Sequence, residues 1–193
     1  KSSVESLKRM NSSIQAEVIK RVEAIERSNQ KLLEKSQTDK FTGLLIKPAV
    51  IEKLENFIHR APKSTISVMM FDIDKFKQIN DTLGHQTGDR CIRNITNLMK
   101  ASFRQDDVLG RFGGDEFIVL LPDTTGVKAF LIADRFRELV QNKSNPEVTV
   151  SIGIANYPSD AKDVQSLIEA ADKALYASKQ KGRNSVTLFS KEN

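Results

Sequence analysis

The chain has 193 residues, 39% of them hydrophobic and 28% charged, with a formal net charge of +5. This length suits one domain of ordinary size plus an appendage, and the composition is that of a soluble globular protein. No stretch approaches the roughly 18 uninterrupted apolar residues of a membrane span, and the polar, charged start does not resemble a secretory signal.

The positive charge lies mainly at the N-terminal end and does not predict nucleic-acid binding. Residues 1–38 contain eight Lys or Arg and five Glu, and the few aromatic residues do not alternate with a basic stripe. The single cysteine, Cys91, excludes an intramolecular disulfide and fits the reducing cytosol. We therefore expect a cytoplasmic protein in which Cys91 is a small core residue.

Residues 1–36 contain neither Gly nor Pro and are predicted to form one long helix. The core positions of an incomplete heptad are occupied by Val4, Leu7, Asn11, Ile14, Val18, Ile25 and Leu32. This narrow seam favours a two-stranded parallel coiled coil, and hence a homodimer, over a helix that lies on its own domain. Because nothing caps its first turn, we expect the helix to continue upstream. Residues 1–37 are assigned to this coiled-coil helix and residues 38–193 to a globular domain.

The rest of the chain alternates between helical and extended patterns. The predicted helices are 48–58, 89–103, 127–141 and 164–179, and the predicted strands are 66–72, 148–155 and 185–189, with a hairpin over 108–121. The core order β-α-β-β-α-β predicts an α/β (α+β) fold. In it a ferredoxin-like sheet that contains antiparallel strands is flanked by helices, with the helices of the core on one face.

The tight turn of the hairpin holds two glycines and two acids in the sequence Arg-Phe-Gly-Gly-Asp-Glu-Phe, residues 111–117. The glycines allow positive φ and bring bare backbone close to a ligand. Asp115 and Glu116 concentrate negative charge there, which suits coordination of a hard metal ion. On this heptapeptide alone, a solvated hairpin tip explains the pattern equally well.

A second group of acids follows a strand that is expected to be buried, since residues 68–71 are all apolar. Asp72 emerges at the end of this strand, and Asp74 shares its side if the strand continues. The first strand of such a core commonly lies beside the hairpin, so Asp72 is expected to converge with the acids of the turn. Oxygen-only ligands select Mg²⁺ or Mn²⁺ over zinc, and Lys75 and Lys77 are well placed to bind the phosphates of a nucleotide.

A third group, Lys179-Gln-Lys-Gly-Arg183, ends a predicted helix with cations and a glycine. When it is taken alone, dipole complementarity and a C-cap explain this ending fully. Asn80, Asp81, His85 and Asp89 are likewise explained as turn formers and helix caps.

Together, these groups resemble the GGDEF family of bacterial diguanylate cyclases over about residues 38–190. The resemblance rests on the order and spacing of Asp72-Ile-Asp-x-Phe-Lys-x-x-Asn-Asp-x-x-Gly-His-x-x-Gly-Asp89, Gly113-Gly-Asp-Glu-Phe117, Ser151-Ile-Gly153, Tyr176 and Lys179-x-x-Gly-Arg183. It implies a nucleotidyl-cyclase-like fold and the condensation of two GTP molecules into cyclic di-GMP with release of two pyrophosphates. In this family one domain holds one GTP, which implies a homodimer of facing domains. The resemblance also implies an upstream sensor or receiver domain, which such chains usually carry.

The resemblance also implies roles for individual residues. The expected ligands of two Mg²⁺ (or Mn²⁺) ions are Asp72, the Ile73 carbonyl, Asp115 and Glu116. The expected substrate-binding residues are Lys75, Phe76, Lys77, Asn80, Asp89, Lys179 and Arg183, of which Asn80 and Asp89 read guanine. The expected catalytic residues are Asp115, which accepts the proton of the attacking 3′-hydroxyl, Glu116 and Lys77.

Arg104 and Asp107 stand just before the hairpin, in the register of the family's RxxD product-inhibition site, and Arg135 matches a further arginine that the family often uses there. This implies inhibition by cyclic di-GMP, with Arg104 on phosphate or guanine and Asp107 accepting from guanine. A surface ion pair between residues i and i+3 is the alternative explanation.

One motif departs from the family pattern. Residues 39–44, Asp-Lys-Phe-Thr-Gly-Leu, are followed by Leu-Ile-Lys-Pro where the family usually has Asn-Arg, which bears on how this segment docks and relays a signal from the coiled coil. A catalytically silent receptor for cyclic di-GMP or GTP is an alternative function of the same fold, and a coiled-coil scaffold leaves the carboxylates unexplained. The intact Asp72, Lys77, Asp115 and Glu116 favour the cyclase.

Overall fold

The computed structural model describes residues 11, 14–15, 17–26, 37–61 and 64–190. The chain divides into two units, Lys1–Thr38 and Asp39–Asn193. In the first unit, residues 17–26 are helical. Its exposed apolar side chains, each 48% to 60% accessible, are Ile14, Val18, Ile19, Val22 and Ile25. The heptad positions Val4, Leu7 and Leu32 lie outside the described residues, and the coiled-coil dimer stays a prediction. Across the described ranges we find no helix with the length and apolarity that crossing a bilayer requires.

The second unit is built on a six-stranded sheet. Its strands are β1 (Leu45–Ile46), β2 (Ile66–Ile73), β3 (Val108–Arg111), β4 (Glu116–Pro122), β5 (Val150–Tyr157) and β6 (Val186–Leu188), in the spatial order β1-β3-β4-β2-β5-β6. The four central strands pair antiparallel, whereas β1 and β6 add to the two edges in parallel. The helices of this unit are α1 (Lys47–Arg60), α2 (Phe76–Leu83), α3 (His85–Ser102), α4 (Gly126–Lys143) and α5 (Val164–Gln180).

Helices cover both faces of the sheet. On one face, α3 and α4 bury Met99 and Phe136 against Phe71 of β2. On the other face, α1 and α5 bury Leu54 and Leu167 against the opposite side of the same strands. The ferredoxin-like βαββαβ core predicted from the sequence is confirmed, with its two crossover helices, α3 and α4, on one face. Because both faces are covered, the central strands are apolar on both sides.

The sequence patterns do not predict β1 or α2, and they misplace several boundaries by two to four residues. Strand β1 has two residues, too few for an alternating pattern. Helix α2 has eight residues and buries none of them fully, and its apolar stripe of Phe76, Ile79 and Leu83 covers only two turns, too short a pattern to predict a helix. Helix α3 begins at His85, before the predicted start at residue 89, because only Gly84 separates it from α2. Strand β5 begins at Val150, after the predicted start at residue 148, because the Val148 N–H bonds to the Ser144 hydroxyl in a local loop.

Gly153 sets the contact between α5 and β5. A Cβ at this position would lie 2.0 Å from the Leu175 nitrogen and 2.3 Å from the Ala171 carbonyl oxygen, both backbone atoms. We therefore expect Gly153→Ala to lower the free energy of unfolding by about 1–3 kcal/mol or more, because the helix must move off the strand. Urea unfolding measures the change. Gly114→Ala is the control, since nothing lies within 4 Å of its Cβ, and it should stay within about 0.5 kcal/mol. Equal losses of unfolding free energy from the two substitutions would contradict the close contact of α5 with Gly153.

Candidate active site

The ends of β2 and β4 bring the acids of two sequence motifs together. The two strands pair antiparallel, and the last pair in the ladder sets Asp72 opposite Glu116. Beyond the ladder, the Ile73 N–H donates to the Asp115 carbonyl oxygen at 3.4 Å. The structure therefore places Asp72, the Ile73 backbone, Asp115 and Glu116 at one edge of the sheet, the edge formed by the ends of these central strands.

The signature turn (residues 111–117) is closed by its own backbone. The N–H groups of Phe112 and Gly113 donate to the Glu116 carbonyl oxygen at 2.9 and 3.3 Å. A Cβ at Gly113 would lie 2.8 Å from Oε2 of Glu116, so the missing side chain leaves space for that carboxylate. At Gly114 a Cβ would meet nothing within 4 Å, which leaves this side of the turn open to a ligand.

Arg111 holds this turn and ties it to the N-terminal motif of the unit. Its guanidinium donates to the carbonyl oxygens of Gly113 at 3.1 Å and Gly114 at 2.7 Å, and to Oδ1 of Asp39 at 3.1 Å. Burial raises the pKa of Asp39, but hydrogen bonds from Thr42 and from Arg111 outweigh it and bring the pKa below its usual value. No local pattern predicts this role of Arg111, because its partner Asp39 is 72 residues away in the sequence.

Asp72 lies between a cation and a second carboxylate. The Lys179 ammonium, near the end of α5, donates to Oδ2 of Asp72. The other oxygen of Asp72, Oδ1, is buried without a hydrogen-bond partner among the described residues. Burial raises the pKa of Asp72, the Lys179 hydrogen bond opposes this, and the neighbouring Asp115 carboxylate raises it further, to about 6 from an ordinary 3.8. An ionised carboxylate with a bare buried oxygen is unfavourable, so a cation at that oxygen would stabilise it.

The donor set at this edge fits a hard divalent cation. The bare oxygen of Asp72, the adjacent Asp115 carboxylate and the Ile73 carbonyl are oxygen donors of the kind that Mg²⁺ and Mn²⁺ prefer. The set is not preassembled: in the described part of the chain, no group of three or more His, Cys, Asp or Glu side chains is arranged to hold a metal ion. The exposed Glu116 carboxylate lies against Gly113 instead.

Asn80 and Asp89, the residues expected to read guanine, lie where α2 meets α3. A Cβ at Gly88 would lie 2.0 Å from Oδ1 of Asn80 and 3.2 Å from the ring of Phe76, so this glycine lets the two helices approach closely. Asn80 is half-buried at the contact, and Asp89, the residue after Gly88, is exposed. The structure thus brings the two predicted residues to the same helix–helix junction.

The cations expected to bind phosphate lie on two segments. Lys75 and Lys77 are exposed at the start of α2, where helix N–H groups have no intrahelical partner. Lys179 and Arg183 lie on either side of the end of α5. Lys75 and Arg183 line one cleft of about 970 Å³, so the two segments face a common space. Lys77, Lys179 and the guanine-reading residues lie outside its lining.

Arg104 and Asp107 form a tight turn before β3. The Arg104 N–H donates to Oδ2 of Asp107 at 2.8 Å, and the Asp107 N–H donates to the Arg104 carbonyl at 3.1 Å. Burial raises the pKa of Asp107. The carboxylate thus bonds to the backbone of Arg104, and the Arg104 guanidinium is exposed. Arg135 lies on α4. The ring of the next residue, Phe136, lies 5.3 Å from that of Phe103, so the segment that carries Arg135 packs against the segment that carries Arg104.

The chain matches the family model described as diguanylate cyclase, GGDEF domain, over residues 36–185. It is 41% identical over 181 residues to diguanylate cyclase A of Treponema denticola, which covers 88% of this chain and 48% of that protein. It is 42% identical over 136 residues to the probable diguanylate cyclase DgcT of Escherichia coli, which covers 66% of this chain and 30% of that protein. The chain thus spans less than half the length of either curated relative.

Among solved structures, the chain is similar to the coiled coil and GGDEF domain of DgcB from Caulobacter crescentus in complex with c-di-GMP. The TM-score is 0.79 and the sequence identity 29%, and the match covers 92% of this chain and 98% of that one. The family model spans the paired strands, the signature turn and the cations after α5. The chain therefore belongs to the GGDEF-domain family of diguanylate cyclases.

Proposed function

We propose that this chain is the catalytic part of a diguanylate cyclase, which condenses two GTP molecules into cyclic di-GMP and releases two pyrophosphates. The observation that carries the proposal is the pairing of β2 with β4, which sets Asp72 beside the acids of the signature turn. The lysines of α2 follow directly along the chain, and Lys179 contacts Asp72 from α5. Carboxylates for metal and cations for phosphate are the groups that phosphoryl transfer requires.

Membership of this family implies a dependence on divalent metal in general. We assign two Mg²⁺ (or Mn²⁺) ions to Asp72, the Ile73 carbonyl, Asp115 and Glu116. Bound there, such ions neutralise the charge of the triphosphate. Lys179 contacts Asp72 and is expected to turn to the phosphates when a divalent ion binds the carboxylate.

Side chains at the same edge bind the phosphates and move the proton. Asp115 accepts the proton of the 3′-hydroxyl that attacks the α-phosphate of the second nucleotide. Lys77, Lys179 and Arg183 bind phosphate oxygens, and Lys77 offsets the charge that develops in the transition state. Lys75, at the start of α2, contributes a further cation to the same group.

Guanine selection is assigned to the junction of α2 and α3. The Asn80 amide and the Asp89 carboxylate match the O6 and N3 acceptors and the N1–H and N2–H donors of guanine. Adenine presents the opposite pattern at its edge, so this pair favours GTP. Phe76, whose ring lies at the same junction, completes the substrate contacts.

The reaction needs two domains that face each other, because one domain presents one set of these groups. We assign residues 1–37 to a coiled coil that pairs two copies of the chain, and residues 38–193 to the cyclase domain. An upstream sensor or receiver domain is expected to set the geometry of this pair.

A second candidate function is a cyclic di-GMP or GTP receptor that keeps the fold without catalysis. The observation that favours it is the exposed Glu116, which does not join Asp72 and Asp115 in a preformed metal cluster. A receptor would bind through Arg104 and Asp107 and would not need that cluster.

Asp115→Ala separates the two functions. The variant should lose at least about 100-fold in the rate of cyclic di-GMP formation, since it removes a proton acceptor and a metal ligand. Chromatography of products formed from GTP and Mg²⁺ at several protein concentrations measures the rate. Glu52→Ala, at an exposed site on α1, is the matched control. Wild-type chain that forms no product at any concentration, but binds cyclic di-GMP, would establish the receptor instead.

Stability without metal should depend on the ionisation of Asp72. Its pKa in the folded protein is about 6, above the ordinary 3.8, so between these values the folded state binds more protons than the unfolded state. The contribution of Asp72 to the free energy of unfolding is therefore greatest at low pH and is lost as the pH rises through about 6. Urea unfolding in a chelator should show wild type losing stability relative to Asp72→Asn between about pH 4 and pH 7. A difference that does not vary with pH would contradict the raised pKa.

Arg104→Ala should relieve product inhibition. Hydrogen bonds from a guanidinium to a charged ligand contribute about 1.5–3 kcal/mol, so the inhibition constant for cyclic di-GMP should rise about 10- to 100-fold. For each variant, the rate in the presence of cyclic di-GMP is compared with the initial rate of the same variant, before product accumulates. Arg60→Ala, at an exposed arginine near the end of α1, is the control. An unchanged inhibition constant in Arg104→Ala would support the surface ion-pair explanation.

A further inference from the structure

Asp74 is a buried carboxylate that the proposed reaction does not use. It follows β2 and is 8% exposed. It accepts hydrogen bonds from the hydroxyls of Thr149 and Ser151, both at 2.7 Å, and from the backbone N–H of Asn184 at 3.0 Å. Its own N–H donates to the Thr149 carbonyl at 2.9 Å. Hydrogen bonds to a carboxylate group are of the stronger, charge-assisted kind.

The bond to Asn184 holds a loop of unusual backbone conformation. Gly182, Arg183 and Asn184 have consecutive positive φ values of 107°, 70° and 44°. Arg rarely adopts this conformation, Asn does so more readily, and three such residues in a row persist where surrounding contacts fix them. The bond from Asn184 to Asp74 is one such contact. The Asn184 side chain makes two more, at 3.1 and 3.2 Å, with side chains of α4.

Asp74 thereby joins two segments that carry expected substrate contacts. Asp72 and Lys75 lie on its own segment, and Arg183 immediately precedes its partner Asn184. Asp74, Lys75, Arg183 and Asn184 all line the cleft of about 970 Å³. Loss of the bond to Asn184 would therefore loosen the loop that sets the Arg183 guanidinium across that space from Lys75.

We propose that Asp74 is a positioning residue that fixes the loop after α5 to the end of β2, and so sets Arg183 for binding the triphosphate. This inference rests on the proposed function, because it takes Arg183 as a phosphate-binding residue. It predicts an effect on triphosphate affinity and none on guanine reading, because Asn80 and Asp89 belong to the junction of α2 and α3.

The test compares the binding of two probes by calorimetry in the presence of Mg²⁺. One is 3′-deoxy-GTP, which lacks the attacking hydroxyl and is not consumed, and the other is guanosine. Asp74→Asn keeps the shape of the side chain but turns one acceptor into a donor that faces other donors. We expect about a tenfold loss of affinity for 3′-deoxy-GTP, the scale of one charge-assisted hydrogen bond, and unchanged affinity for guanosine. An equal loss for both probes, or no loss for either, overturns the proposal.

Asp160→Asn is the matched control for loss of a hydrogen-bonded carboxylate. Asp160 accepts the Asn156 N–H at 2.7 Å near the opposite end of β5, far along the strand from Ser151. This substitution should leave both affinities unchanged. If it lowers triphosphate affinity as much as Asp74→Asn does, the effect is one of general stability and the proposal fails.

A double-mutant cycle with Arg183→Ala distinguishes positioning of Arg183 from an effect on the metal ligands. If Asp74 acts through Arg183, adding Asp74→Asn to Arg183→Ala should lower the affinity at most about a further twofold, whereas fully additive losses overturn the proposal.

If Asp74→Asn does not fold, Thr149→Val removes one donor to the same carboxylate. It should then give a smaller loss for 3′-deoxy-GTP alone, and unchanged affinity overturns the proposal. Wild-type chain that binds no 3′-deoxy-GTP overturns the proposed function, and this inference with it.

Discussion

The register between β2 and β4 is the constraint on which the site depends. Both strands are buried on both faces, so alternation of apolar and polar residues cannot set their alignment. Instead, the rings of Phe71 and Phe117 stack at 5.1 Å across the ladder, and Phe136 of α4 packs on Phe71 at 5.2 Å. This aromatic group fixes Asp72 opposite Glu116 in the next pair. A shift by one residue would turn Asp72 toward the apolar side chains of α3 and α4.

Arg111 extends this constraint to the start of the second unit. It bonds to the carbonyls of the signature turn and to Asp39, and its guanidinium lies 5.6 Å from the ring of Phe41, which Arg93 approaches at 4.7 Å. The segment that lacks the family's Asn-Arg pair is therefore docked by residues that precede the departure. A displacement of Asp39 would act through Arg111 on the carbonyls of Gly113 and Gly114, just before Asp115. Control of the site by an N-terminal helix, as proposed, would require a connection of this kind.

Much of the sheet could be predicted from the sequence, because uninterrupted apolar runs mark its strands and paired glycines mark its turn. The approach of Asp72 to that turn follows from the usual adjacency of strands in such a core, whereas the roles proposed for Asn80 and Arg104 rest on family resemblance. The contact of Lys179 with Asp72 could not be predicted, because it joins residues 107 positions apart and depends on how closely α5 lies on β5. No local pattern encodes that distance, which the missing side chain of Gly153 allows.

Asp72 offers one oxygen to Lys179, and in the proposed cyclase its other oxygen would bind a divalent ion. The side chain of Lys179 is 33% exposed, whereas that of Asp72 is 13% exposed, so the lysine can withdraw while the aspartate stays in place. In the proposed cyclase, a divalent ion at the bare Oδ1 would weaken the attraction between Asp72 and Lys179, which would then be free to turn to the phosphates. Lys179 compensates only one oxygen of this buried carboxylate and the ion would compensate the other, which matters because an unpaired buried charge is costly. Metal binding and triphosphate binding would thereby be coupled through Lys179.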